Sequence, residues 1–196
     1  IYQRAKNTVD TTPFGTQLNV YEEGYEWLSH SIKPVPHALI NYNPRVKVGG
    51  KDCAQPYESS LLNVSAMSFG SLSGAAIEAL NGGAALGSFA HNTGEGGLSD
   101  HHLKNGGDII FQFGTGYFGV RDLAGNFSDE RFALLTANPQ IKMIEIKLSQ
   151  GAKPGHGGIL PASKATPEIA KIRHIEPYKE VVSPAYLTAF VTPRQM

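Results

Sequence analysis

From Leu61 onward the chain repeats one pattern: a short apolar run that stops in a cluster of glycines and small polar residues. Residues 61–67 run into Ser68, Phe69, Gly70 and Ser71, and residues 88–91 into Asn92, Thr93, Gly94, Glu95, Gly96 and Gly97. Residues 108–113 run into Gly114, Thr115 and Gly116, residues 143–148 into the polar stretch 149–158, and Val181 and Val182 into Ser183 and Pro184. Runs this short and this apolar suit strands covered on both faces, the environment of a parallel sheet. Helical signals separate several of them. Ser71 or Ser73 can cap a helix through Ala75, Ala76, Ile77 and Leu80 that Gly82 and Gly83 would end. Ser128 can cap residues 129–135, and Thr166 followed by Pro167 and Glu168 is a strong helix start. The expected class is therefore α/β, built from βα units.

In parallel-sheet folds the loops after the strands hold the chemistry. A doubly wound sheet uses one or two of them, a closed barrel nearly all. Five such loops favour an eight-stranded (β/α)8 barrel of the TIM type, incomplete here with about the first five strands. A whole barrel takes about 250 residues, so the remaining strands are expected beyond Met196. The chain opens at Ile1 rather than Met, and no helical pattern closes it, which adds to the expectation of a fragment.

Residues 1–60 form an expected extension packing on the barrel domain, residues 61–196. Pro13, Pro34, Pro36, Pro44 and Pro56 break any long helical pattern, although residues 21–32 carry a short amphipathic one. Val46, Lys47 and Val48 ahead of Gly49 and Gly50 can begin a hairpin covering one end of the barrel.

Composition narrows the classes of partner. Seventeen basic residues balance seventeen acidic ones, leaving no electrostatic footprint for nucleic acid. No apolar stretch approaches the roughly 20 residues of a spanning helix, so a cytoplasmic protein is expected and any membrane anchor would lie outside these residues. Cys53 is the only cysteine, which rules out an iron–sulfur cluster held by several cysteines of this chain and fits a reducing compartment. It is expected to be a structural thiol.

Gly114, Gly116 and Gly119 satisfy the spacing G-x-G-x-x-G after a strand, but residues 121–126 read as a turn where a dinucleotide fingerprint needs a helix. His91, the adjacent His101 and His102, and His156 lack metal-ligand spacing and are expected at the surface or in loops, with no metal. The segment from Asn92 to Gly97 packs an amide, a hydroxyl, a carboxylate and three glycines into six residues, more than a bare turn requires. Lys147 stands in an apolar run, where a charge is costly without a partner. Two explanations fit it: an ion pair with Glu145, two residues away on the same strand face, or a cation held for a ligand.

Met67, Ser68, Phe69 and Gly70, the segment from Asn92 to Gly97, Gln112 ahead of Gly116, Tyr117, Phe118, Gly119 and Val120, and the stretch from Ile144 to Gly158 with Lys153, Pro154, Gly155 and His156 occur in this order. Together they resemble the FMN-binding domain of glutamate synthases, most of all the shorter stand-alone branch, the FMN-binding glutamate synthase family proteins. The resemblance runs from about residue 38 to residue 183. It implies a (β/α)8 barrel that carries FMN and an oxidoreductase acting in glutamate biosynthesis, in which 2-iminoglutarate, formed from 2-oxoglutarate and ammonia, is reduced to glutamate.

Carried over by position, it assigns Ala66, Met67, Ser68, Asn92, Thr93, Gln112 and Lys147 to the cofactor, with Lys147 at the pyrimidine edge of the ring. It assigns Glu95, Thr115, Gln150 and Lys153 to the substrate side, and Lys147 and Glu95 to catalysis. The electron donor, ferredoxin or NAD(P)H-linked, would be served from elsewhere. Complete glutamate synthases carry Arg where this chain has Tyr117. A flavin-binding barrel without this activity, or an FMN enzyme acting on another amino or oxo acid, would fit the same residues.

Overall fold

The computed structural model describes Lys6, Gly15, residues 17–153 and residues 155–196, which fall into two units, Ile1–Asn41 and Tyr42–Met196. Pro13 and Pro154 lie outside the described residues.

Among the described residues of the first unit, the regular element is a 3-10 turn at His37–Leu39, entered through Pro36. The amphipathic pattern of residues 21–32 does not become a helix. Gly24 takes a left-handed φ of 94°, which interrupts the helical path, and Tyr21, Trp27, Leu28 and Ile32 stay exposed. A helix this short needs a packed apolar face to persist.

The second unit opens with the expected hairpin, strand β1 (Arg45–Val48) antiparallel to β2 (Tyr57–Ser60). Its turn passes through Gly49, where a Cβ would come within 2.9 Å of Cys53 Sγ and φ is 109°. The Tyr57 hydroxyl donates to Asp108 Oδ2 at 2.7 Å, tying the hairpin to the residue just before β4 (Ile109–Phe113). Burial and the Asp108 carboxylate push the Tyr57 phenol up to about 12. The hairpin thus sits at the N-terminal end of the strands, away from the loops that follow them.

The sheet is parallel, in the order β3 (His91–Asn92), β4, β5 (Ile141–Ile146), and Val64 bridges in parallel to His91. Four consecutive segments therefore run side by side. The links between them carry helices α1 (Gly74–Gly87), α2 (Asp100–Leu103) and α3 (Asp129–Thr136), and α4 (Pro167–Arg173) follows β5. The fifth run behaves differently: Val181–Val182, strand β7, pairs antiparallel with β6 (Ile159–Leu160) in a sheet of its own. Gly157 permits this pairing, since a Cβ there would collide with the Ser183 carbonyl oxygen and only glycine lets the two backbones meet.

The caps read from the sequence form. Ser73 accepts from the Ala76 N–H, Ser128 from Arg131 and Thr166 from Ile169, at 3.3, 3.4 and 3.3 Å. The end of α1 does not fall at Gly82 and Gly83; the helix continues to Gly87 and closes on Ser88 in the left-handed region. Each mid-helix glycine costs about 1 kcal/mol relative to alanine, and packing offsets it. Asn81 exchanges hydrogen bonds with the Gly107 backbone, and Gly82 lies against the Asn105 side chain.

Alternation along β4 divides the sheet. Phe111 and Phe113 join Tyr117, Val120 and Leu187 in the main core, with Phe127, Phe132 and Leu135 packed against it. Gln112 points to the opposite face, and that face carries the polar groups.

Candidate functional site

The C-terminal ends of the four parallel segments meet around a cavity of about 270 Å³ lined by Ala66, Met67, Ser68, Ser71, Leu72, Gly94, Glu95, Gln112 and Lys147. Five of the expected cofactor residues line it, and so does Glu95. Asn92 and Thr93 do not; they lie beneath and shape its floor. Asn92 Oδ1 accepts from the Gly94 N–H and its Nδ2 donates to Glu145 Oε1, both at 2.9 Å. Thr93 Oγ1 accepts from the Gln112 N–H at 3.1 Å and donates to the Gly94 carbonyl at 2.9 Å. The Gln112 side-chain amide also donates to Glu145.

Lys147 resolves differently from an ion pair within one strand. Glu145 is taken by Asn92 and Gln112, one level down. Lys147 stands just past the end of β5, where its N–H bonds the Phe113 carbonyl. Its Nζ reaches Glu95 Oε1 at 3.1 Å and Gln150 Oε1 at 3.0 Å, and Gln150 Nε2 donates to both Glu95 oxygens at 2.7 and 2.9 Å. Cation, carboxylate and amide close a ring from two loops, Glu95 from the one after β3 and Lys147 and Gln150 from the one after β5. Gly114 makes room for it, since a Cβ there would lie 2.5 Å from Glu95 Oε2, while Gly94 lets its loop pass the Ser68 backbone, whose nitrogen would lie 2.9 Å from a Cβ.

A second cavity of about 150 Å³ shares Ser68, Ser71 and Glu95 with the first and is closed by Phe118, Gly158, Leu160, Lys164 and Arg173, among others. Arg173 is 7% exposed. Its Nη2 donates to the Phe69 carbonyl at 3.3 Å, its guanidinium lies 5.1 Å over the Phe118 ring, and its buried Nε has no partner among the described residues. Burial draws its pKa down, and the Glu95 carboxylate opposes this. Sequence reasoning missed this residue. The available signal was an arginine sharing a helix face with the buried Ile169 and Ala170, where a charge needs a purpose.

The structure leaves other expected residues outside both cavities. Lys153 is exposed in the turn after Gln150, and Thr115 is buried with a hydroxyl that has no partner among the described residues. Tyr117 is also outside them, fully buried at a φ of 50°, packed on Phe113 and Phe127, with its hydroxyl accepting from the Ala189 N–H at 2.9 Å. A side chain so placed serves the core.

The histidines need a correction. His91 and His102 are fully buried instead of lying at the surface: His91 stands on β3, against which α1 packs, and His102 on α2 turns inward to lie 5.3 Å from the His91 ring. His101 is partly exposed and bridges Glu78 at 2.7 Å and Glu168 at 3.4 Å. After Gly119 the chain turns, with Asp122 accepting from the Asn126 N–H, so no helix N-terminus faces the glycines as a dinucleotide fold would need. Among the described residues, no helix is long and apolar enough to cross a membrane. Cys53 is exposed and unpaired.

Residues 29–196 match a family model described as a conserved region in glutamate synthase. The chain is 46% identical over 167 residues to the glutamate synthase large subunit-like protein YerD of Bacillus subtilis, covering 84% of this chain and 31% of that protein. It is 39% identical over 121 residues to the archaeal glutamate synthase [NADPH] of Archaeoglobus fulgidus, covering 62% of this chain and 21% of the relative. Against the glutamate synthase [NADPH] large chain of Bacillus subtilis it is 38% identical over 125 residues, 61% of this chain and 7% of the relative. The chain thus spans at most about a third of the length of these curated relatives.

Proposed function

This chain belongs to the glutamate synthase family, and from that premise we propose that it forms the ring and substrate side of an FMN-dependent oxidoreductase reducing 2-iminoglutarate, from 2-oxoglutarate and ammonia, to glutamate. The observation that carries the proposal is the closed set of Glu95, Lys147 and Gln150, in which Lys147 lines the larger cavity and Glu95 lines both.

The larger cavity fits a flavin ring. Ligand pockets typically occupy about 300–1,000 Å³, and about 270 Å³ admits a planar ring system rather than a whole nucleotide. Met67 and Leu72 supply apolar walls, while Gln112 and Lys147 supply a polar edge. FMN, when bound, would supply the hydride. Lys147 would stabilise the negative charge that develops on the ring's pyrimidine edge, a fixed cation working in a partly dry site. Glu95 holds Lys147 and Gln150 in register and faces both cavities, which suits a group that positions a substrate nitrogen and exchanges protons with it.

In the smaller cavity, Arg173 and Lys164 present the cations that a dicarboxylate requires. Arg173 takes the carboxylate role that Tyr117, buried in the aromatic core, cannot supply from its position. Lys153, exposed on the turn after Gln150, lines neither cavity. The phosphate of FMN would be held by other residues, as would the electron donor, ferredoxin or NAD(P)H-linked. Among the described residues the far edge of β5 is unpaired, and further strands of a (β/α)8 barrel would add there.

The test uses the flavin-loaded protein that contains this chain. Reduced anaerobically and mixed with 2-oxoglutarate and ammonium, it should reoxidise and form glutamate. Lys147→Ala should slow that step by about 10²–10³-fold, the scale of losing one electrostatic stabiliser. Reoxidation without glutamate, or a Lys147→Ala protein as fast as wild type, would defeat the proposal.

A further inference from the structure

The chemistry above uses neither of the two buried histidines, yet one of them reaches the wall of the larger cavity. His102 is fully buried on α2, and its Nε2 lies 3.0 Å from the Met67 carbonyl oxygen. On the other side of the ring, Nδ1 meets the Ser99 backbone N–H at 3.3 Å and the Ser99 hydroxyl at 2.8 Å. A backbone N–H can only donate, so Nδ1 is the acceptor and the proton resides on Nε2. The Met67 carbonyl can only accept. Both contacts therefore select the same neutral tautomer, and the ring acts as a rigid strut between α2 and the end of the first parallel segment.

Met67 is gripped from both sides. Its N–H donates to the Asn92 carbonyl at 3.1 Å, while its carbonyl receives His102. The next carbonyl, of Ser68, accepts from the Ser71 and Leu72 N–H groups at 3.2 and 3.1 Å. Residues 66–68, 71 and 72 all line the cavity. The His91 ring packs 5.3 Å from His102, and neither of its nitrogens has a partner among the described residues.

We propose that His102 is a positioning residue: its Nε2–H holds the Met67 carbonyl so that residues 66–72 keep the shape that receives the flavin ring. The proposal rests on the flavin-site reading for its consequence, while the hold on Met67 stands on this chain alone. The work is done through the carbonyl and not by contact with cofactor or substrate. Glutamine can replace the donor at a similar reach; leucine fills the space and cannot.

Amide hydrogen exchange in the FMN-free protein, with FMN titration by fluorescence quenching as the second readout, separates these roles for wild type, His102→Leu and His102→Gln. In H102L the Met67 and Leu72 amides should exchange about tenfold faster and FMN should bind about tenfold more weakly, the scale of one lost hydrogen bond. Ile110 and Phe113 should be unaffected. H102Q should restore both readouts. Wild-type exchange at Met67 and Leu72 in H102L would overturn the proposal, and so would equal acceleration in β4 or failure of H102Q to restore the loop. If H102L does not fold, H102Q decides alone, with loop exchange near wild type in support and tenfold faster exchange against. Wild-type protein that binds no FMN would sink the flavin reading and leave the exchange result to judge His102.

Discussion

β4 and β5 are neighbours in one parallel sheet, yet they live in different surroundings. All five residues of β4 are buried, because β3 and β5 flank it and the aromatic cluster covers one face. Along β5 no residue is fully buried, and among the described residues no strand pairs with its far edge. Ile144 is 38% exposed there, against 0% for Phe111 in β4. The flanked strand carries stability, and the edge strand delivers Glu145 and Lys147 to the polar face. Burial, more than the side chains themselves, decides what each strand contributes.

The strongest way to test that division is Phe113→Ala. Phe113 touches Tyr117, Phe127 and Phe132, and its truncation should cost about 3–5 kcal/mol in urea unfolding. A loss below 1 kcal/mol would mean that the core does not centre on β4.

Acidification should probe the flanked side next. Burial, with His102 nearby, pushes the His91 pKa down to about 4. In the unfolded chain a histidine titrates near 6.5, so between these values the unfolded state binds more protons and stability falls as pH is lowered. Its contribution is intact above about pH 6.5, and up to about 3 kcal/mol should be lost on approaching pH 4. His102 shifts in the same direction, while the partly exposed His101 is raised by Glu78. Melting curves of wild type and His91→Leu across this range would check it: the variant should show a shallower acid dependence, and parallel curves would refute the assignment.

Tyr117→Phe keeps the ring in the cluster and removes only the hydroxyl that accepts from Ala189. The expected loss is about 1 kcal/mol, with glutamate formation unchanged because Tyr117 lines neither cavity. A large loss of turnover at full stability would return Tyr117 to the substrate site. Smallest of all, Ile144→Ala on the open strand should cost less than about 1 kcal/mol. A value rivalling Phe113→Ala would show that β5 is covered after all.

Part of the candidate site was legible beforehand, the converging loops from residue type and spacing and the individual positions from the family resemblance. The glycine-rich ends of apolar runs marked the loops that converge, and Ala66, Met67, Ser68, Glu95, Gln112 and Lys147 all line one cavity. Local rules also located the caps at Ser73, Ser128 and Thr166, since a hydroxyl ahead of a helix acts within three residues. Longer-range choices were not readable. The partner of Lys147 is Glu95, 52 positions earlier, although Glu145 is two residues away. Proximity in sequence says little when parallel strands bring distant loops to one level.

The sequence alone determined the α/β class, the strand-end loops and the family, because these rest on period, punctuation and motif order. Tertiary structure decided the rest. It placed Arg173 at the second cavity and Tyr117 in the core. It carried α1 through two glycines, turned Val181–Val182 away from the parallel sheet and gave His102 its carbonyl to hold. Each depends on which surfaces meet across the fold, where close packing and unpartnered polar groups carry costs that no local pattern records.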